Sequence, residues 1–200
     1  MVDLPESVEI RVHLNNGNVE AYVQDDPEQV ARILGNFQPS RVFDTSHLTI
    51  AGKYSMTAYR CSTICLLEFV MDFYPGWRFP VNIEEVREVT EEEFWDAYKP
   101  EEDEYFVREQ QREVGEEFIS FSQLELTSGK SLYARIHSVV QPQLDRLHTI
   151  NHILIADALY ARRREGGALV VNLANVARFG FHPGPPDTPK NAWLASHKTD

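Results

Sequence analysis

The sequence predicts an α+β fold that is mainly β, with two tandem small antiparallel β-barrel-like repeats joined by an acidic helical spacer. Two observations predict the duplication. Residues 14–17 (LNNG) lie between two alternating segments, and 126–129 (LTSG) lie in the same setting later in the chain. Each turn is followed by a helical segment that starts with proline and by further apolar strands, and self-similarity at a fixed spacing is typical of repeated units. The predicted parts are a β-rich repeat at 7–80, a spacer at 81–117, a second β-rich repeat at 118–182 and a Pro-rich tail at 183–200.

Charge is distributed unevenly along the 200-residue chain, whose formal net charge is −12. Residues 1–80 carry a net charge of −4, residues 81–117 of −11, and residues 118–200 of +3. The spacer therefore holds nearly all of the acidity, and the second repeat is mildly basic. Partner surfaces must be considered segment by segment, because the net charge of the whole chain describes neither repeat.

The first residues lack the basic start and the apolar core of a signal peptide. No uninterrupted segment approaches the roughly 18 apolar residues that a membrane helix needs. We therefore expect a cytoplasmic protein without a membrane partner. Cys61 and Cys65 are too few for a disulfide framework, so we expect them to be reduced and buried.

The first repeat opens with a clear hairpin pattern. Apolar and polar residues alternate through 8–14 (VEIRVHL), which predicts a half-buried strand. Asn16-Gly17 predicts a tight turn in which both residues have positive φ. We expect Val19, Ala21 and Val23 to return on the same apolar face as the first strand.

A short helix is predicted after this hairpin. Asp26 precedes Pro27, and Gln29 follows three residues after Asp26, which together predict an N-cap, a first-turn proline and a capping box. Gly35 and Pro39 are expected to end the helix. Further strands are predicted around 42–50 and 54–73.

The second repeat follows the same order with low identity. Residues 124–136 reproduce the hairpin, and Pro142 begins a helix that we expect to end near Asn151. Residues 153–156 (ILIA) correspond to 48–51 (LTIA) and predict a strand. Residues 168–181 correspond to 56–69, so two further strands are expected.

Residues 121–181 resemble a family of small bacterial domains of uncharacterised function. The motifs are LTSG at 126–129, NHILIADA at 151–158 and VN at 171–172. They also resemble, more distantly, the strands of Sm-type barrels. The resemblance implies a small, strongly bent barrel, and it implies single-stranded RNA binding through an asparagine near Asn151 and an arginine near 171–172. This chain keeps the asparagine and has no Arg-Gly pair there.

The basic cluster of the second repeat is the other candidate for nucleic acid. Arg162, Arg163 and Arg164 lie in a predicted hairpin that ends at Gly166-Gly167. Binding of single strands usually needs a basic track with stacking aromatic residues. Three adjacent arginines in a turn are more often a solvated loop, and RNA binding through these residues and Asn151 is the alternative function.

Two groups of polar residues have the composition of catalytic or metal sites. Asp145, His148 and His152 would share one face of a continuous helix as metal ligands. If the helix ends at Asn151 that face is lost, so we interpret them as polar residues at a helix–strand junction. Asp44, Ser46 and His47 are better explained by turn capping than by hydrolysis, because a relay converges from separate elements. We predict no catalytic residue, no metal and no cofactor.

The spacer contains a second capping box at 90–93 (TEEE), followed by aromatic residues at helical spacing. They are either a surface for a partner or an apolar stripe that packs on a neighbouring unit. The tail contains a second candidate docking segment. The predicted partner-binding residues are Phe94, Trp95, Tyr98, Trp193 and Leu194.

Taken together, these patterns predict a non-catalytic cytoplasmic adaptor or regulatory module. It would bind a protein partner through an exposed strand edge, the aromatic spacer or the tail. The two repeats would pack as an intramolecular pseudo-dimer, because units of this size have marginal cores alone. Self-association into a homo-oligomer stays open. A second alternative is an enzyme whose polar residues converge at the interface between the repeats.

Overall fold

The structure is a computed structural model that describes residues 5–79, 82–98, 113–140, 146–184, 190–193 and 195, with the backbone alone for 146–148. The fold is mainly β, as the sequence predicts. The first half contains β1 (Val8–Leu14), β2 (Val19–Gln24), α1 (Pro27–Asn36), β3 (His47–Ala51), β4 (Met56–Arg60), a 3-10 turn (Cys61–Thr63) and β5 (Ile64–Val70). β6 (Ile83–Val89) and α2 (Glu91–Ala97) follow. The second half contains β7 (Glu117–Leu126), β8 (Ser131–Val139), α3 (Arg146–Leu154), β9 (Ala158–Arg162), β10 (Ala168–Asn172), a 3-10 turn (Leu173–Asn175) and β11 (Val176–His182).

One nine-stranded sheet runs through both halves in the order β11-β7-β8-β6-β9-β10-β5-β1-β2, and β3 and β4 form a separate two-stranded sheet. The sheets are not closed barrels, which corrects the predicted barrel-like shape. Instead, β6 is inserted between β8 and β9, and β10 pairs with β5 across the two halves.

The strand register recurs between the halves at one constant offset, the repeat spacing, which is the separation of Leu14 from Leu126 along the chain. In the first half β1 pairs with β5 so that Val12 lies opposite Leu67. In the second half β7 pairs with β11 so that Leu124 lies opposite Phe179. Leu124 follows Val12, and Phe179 follows Leu67, by the same number of residues, which is the repeat spacing.

The same offset relates the elements that follow. The bounds of β10, the second 3-10 turn and β11 follow those of β4, the first 3-10 turn and β5 by the repeat spacing. The exception is β9, which begins one position earlier than the repeat spacing added to β3 would place it. The turn between β9 and β10 (163–167) is one residue longer than the turn between β3 and β4 (52–55). The two halves therefore share one order of elements.

The first hairpin corrects one sequence prediction. Its loop closes with Leu14 N–H donating to the Asn18 carbonyl, and of the loop residues only Gly17 has positive φ, at +86°. The loop therefore contains three residues instead of two, which shifts the register by one and moves β2 side chains to the other face. Glu20 lies opposite Val12, and Val19 and Val23 are exposed on the opposite face.

Two further predictions are wrong. α3 continues through Asn151 to Leu154, so residues 153–156 do not form a strand, and the next strand begins at Ala158. Residues 83–89, inside the segment predicted to be a helical spacer, form β6. In sequence this segment is acidic and directly precedes the capping box of α2, which obscured a strand that lies inside the sheet between β8 and β9.

The apolar cores of the two halves meet at β5. Val8, Val12 and Phe69 pack together in the first half, whereas Cys65 and Leu66 pack with the second half. Cys61 and Cys65 are free and buried, as predicted. Within the described parts of the chain, no helix is long and apolar enough to cross a membrane.

Candidate functional site

The aromatic residues of α2 pack inside the molecule. Thr90 caps the helix by accepting from Glu93 N–H, and the Glu93 carboxylate accepts from Thr90 N–H. Phe94 is fully buried, with its ring centroid 5.1 Å from that of Tyr133 and 5.7 Å from that of Phe121. Tyr98 is buried in the same cluster, whereas Trp95 is 43% exposed. The spacer therefore covers the second half, and only Trp95 of these three presents a sizeable surface.

One of the two candidate residues in the tail is exposed in the structure. Trp193 is almost entirely exposed. Leu194 lies outside the described residues.

The three arginines at the end of β9 and in the following turn face carboxylates of their own chain. Arg162 Nε lies 3.3 Å from Glu85, and Arg164 Nε lies 3.7 Å from Glu93. The Arg163 side chain is buried and donates to the Gly166 carbonyl at 2.9 Å. Asn151 is exposed on α3, outside this turn. The structure therefore does not bring the four predicted nucleic-acid residues into one basic track.

Two of the three candidate metal ligands, His148 and His152, lie on one continuous helix, because α3 extends through His152. The expected helix end at Asn151, and with it the helix–strand junction, is wrong. Asp145 lies outside the described residues, and the side chain of His148 is not among them. Among the residues that are described, no group of three metal-ligating side chains is found.

The Asp44–His47 turn does not form a catalytic relay. Ser46 Oγ lies 2.9 Å from His47 Nδ1, which is a contact between neighbours in the chain. The Asp44 carboxylate pairs instead with Arg41 Nε at 3.2 Å. The acid that would orient the imidazole is therefore engaged elsewhere.

Polar residues from both halves do converge around one carboxylate, Glu68 on β5. Its Oε1 lies 2.9 Å from Lys130 Nζ and 3.1 Å from His13 Nε2, and its Oε2 lies 3.5 Å from Arg11 and 3.9 Å from Arg163. Only 6% of Glu68 is exposed. Burial raises the pKa of this carboxyl, but contacts with His13 and Lys130 outweigh burial and lower the pKa to about 2. Glu68 is thus a fixed anion that joins the halves.

A partly open, mainly apolar cavity of about 530 Å³ lies largely in the second half. β6 to β11 and α3 line it together with Ser40 and Phe79, and the contributing side chains include Leu124, Ile136, Leu159, Val171 and Phe179. The lining is mainly apolar and also includes polar side chains, among them Glu88, Ser122, Thr149 and His152.

Several strand edges of the described chain are open. β8 carries β6 on its outer edge, whereas no described strand pairs with the outer edge of β2. β4 and β11 each pair with one strand among those described. Three of the exposed large apolar residues lie on these edges, since Val19 is 50%, Val23 70% and Met56 72% exposed.

Sequence reasoning missed both the Glu68 cluster and the open edge of β2. A glutamate within the otherwise apolar segment ICLLEFV was a usable signal, because a buried acid needs a cationic partner. Its partner Lys130 is 62 residues away, so no local pattern identifies the pair.

No protein-family model, curated protein or solved structure was found that matches this chain.

Proposed function

We propose that the chain is a non-catalytic adaptor, built from two copies of one β-rich unit, that binds an extended segment of a protein partner between β2 and β3. The recurrence of strand register at the repeat spacing supports the correspondence of the halves. The observation that carries the proposal is that two corresponding strands differ in their pairing. β8 pairs with β6 on its outer edge, whereas β2, the counterpart of β8 in the first half, lies at the edge of the sheet.

The pairing of β6 with its two neighbours indicates how a partner segment would bind in the first half. β6 is antiparallel to β8, with Val86 opposite Ile136, and it meets β9 in parallel, with Arg87 opposite Arg162. The counterparts of β8 and β9 in the first half are β2 and β3, which belong to different sheets. A partner strand in this position would join them and pair with the backbone of Ala21 to Gln24, as in other cases of strand addition.

The exposed face of β2 has the chemistry of a docking surface. In the second half, α2 covers Tyr133, which corresponds to Ala21. In the first half, Val19, Ala21 and Val23 lie on the corresponding face and are exposed. We therefore expect the partner strand to present apolar side chains on this face, with main-chain hydrogen bonds supplying affinity.

The polar cluster between the halves supports a binding function over catalysis. A group that transfers protons near neutral pH needs a pKa near the working pH. Glu68, with its pKa lowered to about 2, stays ionised and is surrounded by cations of both halves. Its role is then structural.

The proposal is tested by placing a cross-linker on β2. Val23→Cys is labelled with a benzophenone maleimide, because Cys61 and Cys65 are buried and protected in the folded protein. After irradiation in lysate of the source cells, we expect one adduct of discrete mass. Unlabelled native protein should compete for it, whereas the unlabelled double variant Val19→Lys/Val23→Lys should not, because charges on an edge strand oppose pairing.

The matched control carries the same label at Tyr54→Cys, on the turn between β3 and β4, where the native side chain is 89% exposed and no less accessible than Val23. Identical adducts from both positions would contradict the proposal, and so would equal competition by the double variant. An adduct that also forms in the purified protein alone would identify a second copy instead of a different partner.

Single-stranded RNA binding through the second half is the alternative, and it makes an opposite prediction. Since Arg162, Arg163 and Arg164 face Glu85, Glu68 and Glu93, we expect no salt-dependent binding of a fluorescent oligouridylate to the intact chain. Fluorescence anisotropy at two salt concentrations measures this. Binding that weakens with salt and is lost in Arg162→Glu/Arg164→Glu would favour the RNA function over the adaptor.

A further inference from the structure

We infer that β4 of one copy pairs with β11 of a second copy of this chain, in the register in which β10 pairs with β5 inside the molecule. The inference rests on the correspondence of the two halves proposed above, but not on the partner strand between β2 and β3. It assigns a self-association surface to edges that the adaptor function leaves unused.

The internal junction defines the expected contact. β10 and β5 are antiparallel, and their pairs are Ala168↔Phe69, Leu169↔Glu68, Val170↔Leu67 and Val171↔Leu66. β4 is the counterpart of β10, and β11 is the counterpart of β5. The repeat spacing converts the internal pairs into Met56↔Phe181, Thr57↔Gly180, Ala58↔Phe179 and Tyr59↔Arg178.

Both edges needed for this contact are open in the described structure. β4 pairs with β3 alone, and β11 pairs with β7 alone. An open strand edge presents unpaired N–H and carbonyl groups that can extend a sheet. β5 and β10 carry such groups too, and they satisfy them by pairing with each other.

The side chains on the two edges are also complementary. Met56 is 72% exposed and Ala58 is exposed, although their counterparts Ala168 and Val170 are fully buried at the internal junction. Phe179 and Phe181 stack on each other with ring centroids 4.3 Å apart and are half-buried. In the inferred register Met56 meets Phe181, which combines apolar burial with a sulfur–aromatic contact.

The contact is heterologous, because each copy contributes a different strand. A single contact of this kind between two copies leaves one β4 and one β11 free, so assembly continues until a ring closes, in a reciprocal dimer or a larger ring, or an open chain forms. The edge of β2 takes no part in it. A homo-oligomer would therefore keep one partner position per copy.

This contact lacks the ion pairs of the internal junction. The counterpart of Glu68 at the repeat spacing is Gly180 in β11. The counterpart of Lys130 in the first half is Asn18. The assembly is therefore expected to depend on main-chain pairing and apolar contacts alone. We expect it to dissociate on dilution, unlike the two halves, which are covalently linked.

Light scattering coupled to size exclusion measures the assembly. The chain has a mass of 23.0 kDa, and we expect at least twice that mass at high protein concentration and a decrease on dilution. The double variant Met56→Lys/Ala58→Lys should return to the mass of one chain with an unchanged circular dichroism spectrum. The matched control Val19→Lys/Val23→Lys, on the edge of β2, should keep the native mass.

Disulfide formation between mixed single variants tests the register. Ala58→Cys with Phe179→Cys, and Thr57→Cys with Gly180→Cys, should cross-link, since opposed residues in antiparallel strands have Cα atoms about 4.5–5.5 Å apart. Thr57→Cys with Phe179→Cys places the thiols on opposite faces and should not. The unsubstituted protein reports any background from Cys61 and Cys65.

A native mass of one chain at every concentration would overturn the inference, as would an oligomer that persists in Met56→Lys/Ala58→Lys or equal cross-linking of the off-register pair. These outcomes are distinct from failure of the adaptor function. A monomer could still form the Val23 adduct, and an oligomer with the inferred register could lack that adduct.

Discussion

Replacing Glu68 with alanine is expected to lower the free energy of unfolding by roughly 3 kcal/mol, because it removes a buried carboxylate and leaves the buried Arg163 guanidinium and the partly exposed Lys130 without this partner. Lys130 and Arg163 come from the second half, and His13 comes from the first. The variant should therefore weaken the contact between the halves as well as the core. Urea denaturation at pH 7, followed by circular dichroism, measures the loss.

The matched control is Glu125→Ala, which removes an exposed glutamate from β7. A surface change of this kind is expected to alter stability by no more than about 0.5 kcal/mol. Equal urea midpoints for the two variants would contradict the role of Glu68 as the charge that holds the halves together.

The same carboxylate gives stability a dependence on pH. Its pKa is lowered to about 2 in the folded state from 4.5, so the unfolded chain binds a proton more readily than the folded chain does. The stabilisation is therefore fully present above about pH 4.5 and is lost as pH falls towards 2. The shift corresponds to about 3 kcal/mol. The stability difference between the native protein and Glu68→Gln should shrink over this interval, and a constant difference would argue against ionisation of Glu68 as the cause.

The sequence predicted the elements whose signals are local. The alternation in 8–14, the N-cap at Asp26 and the capping box at Thr90 each correspond to an element of the structure. The mainly β fold class follows from such segments. The recurrence of the two turns was also predictable, because turns and caps depend on a few neighbouring residues.

Details that depend on one residue or on distant residues were not predictable. A loop of three residues instead of two reversed the faces of β2, so residues expected in the core are exposed. β6 resembles an acidic linker in sequence, and it pairs with β8, a strand far along the chain, where Val86 lies opposite Ile136. The candidate site depends on these long-range pairings, so the sequence indicates only an unspecified strand edge.

The junction between the halves also explains why two adjacent glycines end the β9–β10 turn. Gly166 and Gly167 both have positive φ, at +98° and +85°. A Cβ at Gly167 would overlap the Phe69 carbonyl oxygen and lie 2.9 Å from its carbonyl carbon. Only a residue without a side chain lets β10 approach β5 closely enough to pair.

Gly167→Ala is therefore expected to lower the free energy of unfolding by more than about 3 kcal/mol, because the obstructing atoms belong to the backbone and cannot rotate away. The control is Gly129→Ala, at φ +84° with no atom within 4 Å of the added Cβ. It carries the same conformational strain and should cost about 1–2 kcal/mol. The difference between the two variants isolates the close approach of β10 to β5. Equal losses would mean that strain alone accounts for the glycine, and that the junction tolerates a wider spacing between the halves.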